Sequence, residues 1–104
     1  MTDWERAKQE RPGLVVLIGL THLHRDGSID RREQFYGQIV SVDPVDGIEL
    51  DLSGQDAGER YWLPPDLRAF ERAPPGDYTL TSSGQVVRDP DLLTQWTVES
   101  PLVG

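Results

Sequence analysis

His22 and His24 lie two residues apart, with Asp26 beyond them. Positions two apart on a strand share a face. Two imidazoles so placed could turn toward one metal ion, with Asp26 as a third ligand. The competing reading is that these polar residues mark the exposed end of a strand before its turn. No fourth ligand follows in the sequence, so no metal site and no cofactor is assigned. Arg25, Arg31 and Arg32 could form a local basic patch, and phosphate binding draws its affinity from clustered Lys and Arg. Asp43 with Asp46, and Asp89 with Asp91, are paired carboxylates in turn-rich stretches, where such pairs usually accept backbone hydrogen bonds. Trp4, Tyr61, Trp62, Phe70 and Trp96 stand out as large amphipathic residues among the eight aromatics. Most are expected in packing, while Trp62, ahead of Pro64-Pro65 and Asp66, suits an interaction surface. Trp4, Tyr61, Trp62 and Asp66 are therefore the candidate interaction residues. No nucleophile motif, phosphate loop or dinucleotide fingerprint occurs, and no enzymatic activity is expected.

Charge restricts the partners further. The chain of 104 residues has a formal net charge of −8. Six acids balance six bases up to residue 36, and twelve acids face four bases after it. Such a surface repels nucleic acid at long range unless Arg25, Arg31 and Arg32 make a local patch. Hydrophobic content of 37% and charged content of 27% suit a globular chain. There is no cysteine, which excludes disulfide frameworks, thiolate metal sites and cysteine nucleophiles. No apolar run is long enough to span a bilayer. The opening MTDWERAKQERPG is charged, so no secretion signal is expected and the cytoplasm is the default location.

The elements that must position these residues are mostly short strands. Residues 2–11 read as a helix, with Thr2 and Glu5 fitting a capping box and Pro12-Gly13 ending it. Trp4 and Ala7 share the face that docks. Residues 14–24 include LVVLIGL, apolar on both faces, as in a strand buried on two sides or lining a closed barrel. Gly19 within it suggests a bulge or tight bend. Residues 25–28 make a hairpin turn. Residues 32–42 alternate, with Phe35, Gly37, Ile39 and Ser41 on one face and Tyr36, Gln38, Val40 and Val42 on the other. Residues 43–47 form a turn. Ile48, Leu50 and Leu52 then point in, and Glu49 and Asp51 point out. Residues 60–63 return as a strand. Asp66 can cap one helical turn, with Leu67, Ala69 and Phe70 packing beneath. Residues 78–81 and 85–87 flank Ser82-Ser83-Gly84 as a second hairpin. Asp89 before Pro90 predicts a single helical turn through Leu93, and residues 94–99 a final strand with Trp96 and Val98 on one face.

This order predicts a mainly β, single-domain chain spanning residues 1–104. A helix over about 2–11 precedes a core over about 13–82, and a C-terminal hairpin or strand extension covers about 83–104. Gly37, Ile39, Val42, Asp43, Gly47 and Leu50 together resemble the first motif of the Sm-like family. The resemblance covers about residues 2–82. It implies a small, strongly bent SH3-like or Sm-like barrel of five to seven strands. In that family the turn aspartate and an asparagine, with a later arginine–glycine pair, hold a base. Asp43 matches the aspartate, Gly47 stands at the asparagine position, and no Arg-Gly pair occurs. Glycine offers no side chain to a base edge. The reading is therefore a non-enzymatic protein-interaction module, antitoxin-like or immunity-like, whose acidic face meets a basic protein. A homo-oligomer through exposed strand edges is also compatible. The alternative is a divergent Sm-like RNA or nucleotide binder using Arg25, Arg31, Arg32 and Asp43. A second alternative is metal binding through His22 and His24. Neither a nucleic-acid partner nor a membrane is expected.

Overall fold

The computed structural model describes residues 2–99. Helix α1 (Asp3–Glu10) starts at Thr2, whose hydroxyl accepts the Glu5 amide at 3.1 Å. Asp3 and Glu5 sit at its positive end and Lys8 in its last turn, the arrangement the helix dipole favours. Eight residues do not hold a helix alone. Ala7 is buried and Trp4 packs against the same core, so docking stabilises the helix. Beyond Gly13, whose φ is +91°, the chain turns onto a strand. The Gly13 amide donates to the Ile39 carbonyl at 2.8 Å, and the Ile39 amide donates to the Leu14 carbonyl at 2.9 Å.

The protein is mainly β. Strands β1 (Val15–Leu23), β2 (Ile29–Asp43), β3 (Gly47–Leu52), β4 (Arg60–Leu63), β5 (Phe70–Arg72) and β8 (Leu92–Glu99) form one sheet, in the order β4-β3-β2-β1-β8-β5. Strands β6 (Asp77–Thr79) and β7 (Val86–Arg88) form a separate hairpin. Neighbours in the large sheet are antiparallel except β1 and β8, which run parallel, with Ile18 level with Thr94 and Leu20 level with Trp96. No ladder joins β4 to β5 among the described residues, so the hydrogen-bonded sheet has two edges. It is nevertheless curled. Phe70, on the β5 edge, packs against the core formed by β1 to β4, and it borders one small void with Ile39, Val42 and Ile48.

The lack of alternation in β1 now has its cause. Val16, Ile18 and Leu20 face the inner core with Phe35, Ile39, Ile48, Leu50 and Leu63. Leu17 faces the opposite way and is covered by Leu80 and Val87 of the small hairpin. Each fully buried Val, Leu or Ile contributes roughly 1.5–3 kcal/mol relative to exposure, and β1 collects this on both faces.

Four details depart from the sequence reading. First, the β2–β3 register shifts between Ile39 and Ser41. A bulged residue reverses the inside–outside order of all that follow. Val40 is thus 39% exposed, while Val42 is 4% exposed and opposes Ile48. Second, Gly19 introduces no bulge, since it lies in continuous register with Gln34 and Gln95. The irregularity in β1 falls between His22 and Leu23 instead. Third, no helical turn forms after Asp89. Asp91 Oδ2 accepts the Val15 amide at 2.8 Å, and the Asp91 amide donates to the Val15 carbonyl at 2.9 Å. Asp89 Oδ1 accepts the Gly76 amide at 2.8 Å. The two carboxylates fasten neighbouring segments, and Leu92 goes directly into the core as the first residue of β8. Fourth, Asp66 caps a short 3-10 turn, Leu67–Ala69, but Phe70 then begins β5.

Candidate functional site

Tyr61 and Trp62 are neighbours on β4, so the pleat turns them to opposite faces. Tyr61 points inward and meets the Phe35 ring edge-to-face at 5.1 Å between centroids. Trp62 points outward opposite Glu49 and is 50% exposed. Arg60, also outward, reaches back to Glu49 Oε2 at 3.2 Å. Trp4 packs against the core from α1. Asp66 Oδ1 accepts the Arg68 amide at 3.1 Å. Of the four candidate interaction residues, Trp62 therefore presents a large aromatic outward from an edge strand.

The arginines do not share a face. Arg31 and Arg32 are consecutive in β2 and alternate, opposite His22 and Thr21 respectively. Arg31 is paired, with Nε 3.2 Å from Glu33 Oε1 and a terminal nitrogen 3.8 Å from Asp30 Oδ2. Arg25 lies in the turn after β1. Asp43 Oδ1 accepts the amides of Val45 at 2.7 Å and Asp46 at 2.9 Å. These bonds, Asp46's first, hold its carboxyl below the usual range. Each histidine faces its own carboxylate. His24 Nε2 is 3.6 Å from Asp30 Oδ1, and His22 Nε2 is 2.8 Å from Glu33 Oε1. Asp26 Oδ1 is occupied by the Ser28 amide and hydroxyl. Among the described residues no three His, Asp or Glu side chains converge as metal ligands.

No protein-family model, curated protein or solved structure matches this chain.

A hollow of about 260 Å³ opens at the end of the inner face nearest the β1–β2 turn. Its apolar wall comes from Leu20, Phe35, Leu52 and Tyr61, and its polar wall from His22, Glu33, Asp56 and Glu59. The 53–59 loop delivers the last two carboxylates, through a 3-10 turn (Gly54–Asp56) whose Asp56 carbonyl accepts the Glu59 amide at 3.2 Å. His22 Nε2 is buried and lies 2.8 Å from Glu33 Oε1 without making a hydrogen bond. Sequence reasoning passed over Glu33, Asp56 and Glu59, since an acid in a polar loop carries no local sign of what it will face. Tyr61 registers the local field: burial, and then the Glu33 charge, push its phenol above the ordinary value of 10.0. The neutral phenol is the form the fold favours, so this contribution to stability is present below pH 10 and fades as pH rises through the folded-state value. In absorbance titrations, the component lost in Tyr61→Phe should ionise above pH 10, and Glu33→Gln should move it downward. A Tyr61 component unmoved by Glu33→Gln would show that the carboxylate does not act on the ring.

No helix among the described residues is long and apolar enough to cross a membrane.

Proposed function

We propose that the chain is a non-enzymatic interaction module, a strongly curled SH3-like or Sm-like small β-barrel that docks a basic protein partner along the β4 edge. The observation that carries this reading is Trp62, half exposed on an edge strand beside Glu49. An edge strand offers unpaired backbone N–H and C=O groups to an incoming strand. A tryptophan beside them supplies the kind of contact that concentrates binding energy. The charge fits a basic partner, because the whole excess of twelve acids over four bases lies beyond residue 36. Attraction of this kind raises association rates and weakens with salt. An antitoxin-like or immunity-like role in the cytoplasm follows from the same features, with the acidic face covering a basic protein. The curl is supported by the small void that Phe70 of β5 borders together with Ile39 and Val42 of β2 and Ile48 of β3.

The test is affinity capture from the cell of origin with the wild-type chain and Trp62→Ala. We expect a basic protein, retained at low salt and released as salt rises, with at least a tenfold loss in the variant. Stability should fall by only about 1 kcal/mol, the cost of losing the buried half of the side chain, with the fold retained. A partner that binds both chains equally well would move the interface away from β4. Recovery of only a second copy of this chain would replace the reading with self-association through strand edges.

A further inference from the structure

We infer that the hollow at the end of the inner face takes one arginine side chain of a protein partner. This deepens the reading of the chain as a module for a basic protein, and rests on it. Three features argue for a guanidinium. The cavity, about 260 Å³, is lined by aromatic carbon from Phe35 and Tyr61, held edge-to-face at 5.1 Å. The carboxylates of Glu33, Asp56 and Glu59 line it as well. Planar, weakly hydrated guanidinium is the side chain that satisfies both walls, stacking on aromatic faces while donating to carboxylates in pairs. The Tyr61 phenol is raised first by burial and then by the Glu33 charge, and the second cause agrees with negative charge beside the ring.

The groups already present leave room for that charge. Glu33 is engaged by Arg31 at 3.2 Å and approached by His22 at 2.8 Å through the same oxygen, Oε1. Asp56 and Glu59 make no ion pair among the described residues, so the uncompensated negative charge lies on the loop side of the hollow. A cavity lined by aromatic carbon and by carboxylates, two of them outside any ion pair among the described residues, attracts a cation and disfavours an anion. A neutral side chain of the same shape would fill the space and leave the carboxylates unsatisfied.

The experiment uses the full chain and three small probes, N-acetyl-arginine methylamide, its lysine counterpart and N-acetyl-citrulline methylamide, followed by amide and side-chain NMR shifts. The expected result is saturable change at Phe35, Asp56, Glu59, Tyr61 and the His22 ring with the arginine probe. Lysine should bind at least threefold more weakly, and citrulline, which keeps the shape but loses the charge, should give no saturable change. The double variant Asp56→Asn/Glu59→Gln should lose the arginine response at least tenfold while its remaining spectrum stays that of the wild type. Shifts spread over the acidic surface, a response to citrulline equal to that to arginine, or no response would overturn the assignment. The same double variant separates the two readings in the capture experiment. If it holds the partner as well as the wild type while Trp62→Ala does not, the arginine pocket falls and the β4 interface stands. If neither substitution matters, both fall.

Discussion

Replacing Gly47 with alanine is expected to lower unfolding stability by about 3 kcal/mol, a large part of the roughly 5–15 kcal/mol typical of a small domain. Two penalties combine at this site. Gly47 has φ of +101°, where a Cβ costs roughly 1–2 kcal/mol. The added Cβ would also sit inside van der Waals contact of the Leu63 carbonyl oxygen on β4, which is backbone and has little room to retreat. Overpacking of this kind adds about 1–3 kcal/mol. Urea unfolding should show the midpoint fall with an unchanged slope, and the melting temperature should drop by about 10–20 °C. Gly58→Ala is the control. It shares a positive φ, +95°, but nothing lies within 4 Å of its Cβ position, so the backbone penalty alone should appear. Equal losses at the two sites would show that the approach of Leu63 to the turn is not a constraint.

Ile18→Ala should cost a similar amount, about 2–5 kcal/mol, through a different mechanism. Ile18 has no exposed surface and sits between Phe35 on β2 and Thr94 on β8. Truncation removes buried methyl groups and leaves a cavity between three strands that cannot easily collapse. Val45→Ala, at a turn position 83% exposed, should change stability by no more than about 0.5 kcal/mol. If Ile18→Ala cost as little as Val45→Ala, the inner face would not be the principal core. Trp62→Ala should cost about 1 kcal/mol, well below Ile18→Ala, although it is expected to remove binding. Losing function without losing the fold is the signature of an interface residue.

Local signals in the sequence located most elements because their causes are local. The Thr2 cap, the Asp26-Gly27 and Asp43-to-Gly47 turns, and the alternation of Ile48, Leu50 and Leu52 depend on residues within a few positions of one another. The candidate sites were less legible. Tyr61 and Trp62 are adjacent letters with the same apparent promise, but strand pleat sends one into the core and the other to the surface. Asp43, the match to the base-holding aspartate of the Sm-like motif, is occupied by two amides of its own turn. Glu33, Asp56 and Glu59 become one wall only when a strand and a loop meet, which no short-range pattern encodes.

The sequence by itself determined that this protein is mainly β with one capped helix. It also marked β1 as apolar on both faces, and the structure covers one face with the inner core and the other with the small hairpin. Tertiary structure alone decided the order of the ladder. The parallel β1–β8 pair joins Val15 to Asp91 across 76 positions, and the bulge at Val40 turns Val42 into the core. Turn chemistry and side-chain period act over a few residues. Strand partners and register are selected by which distant apolar faces can be buried together, a choice that exists only once the chain has closed on itself.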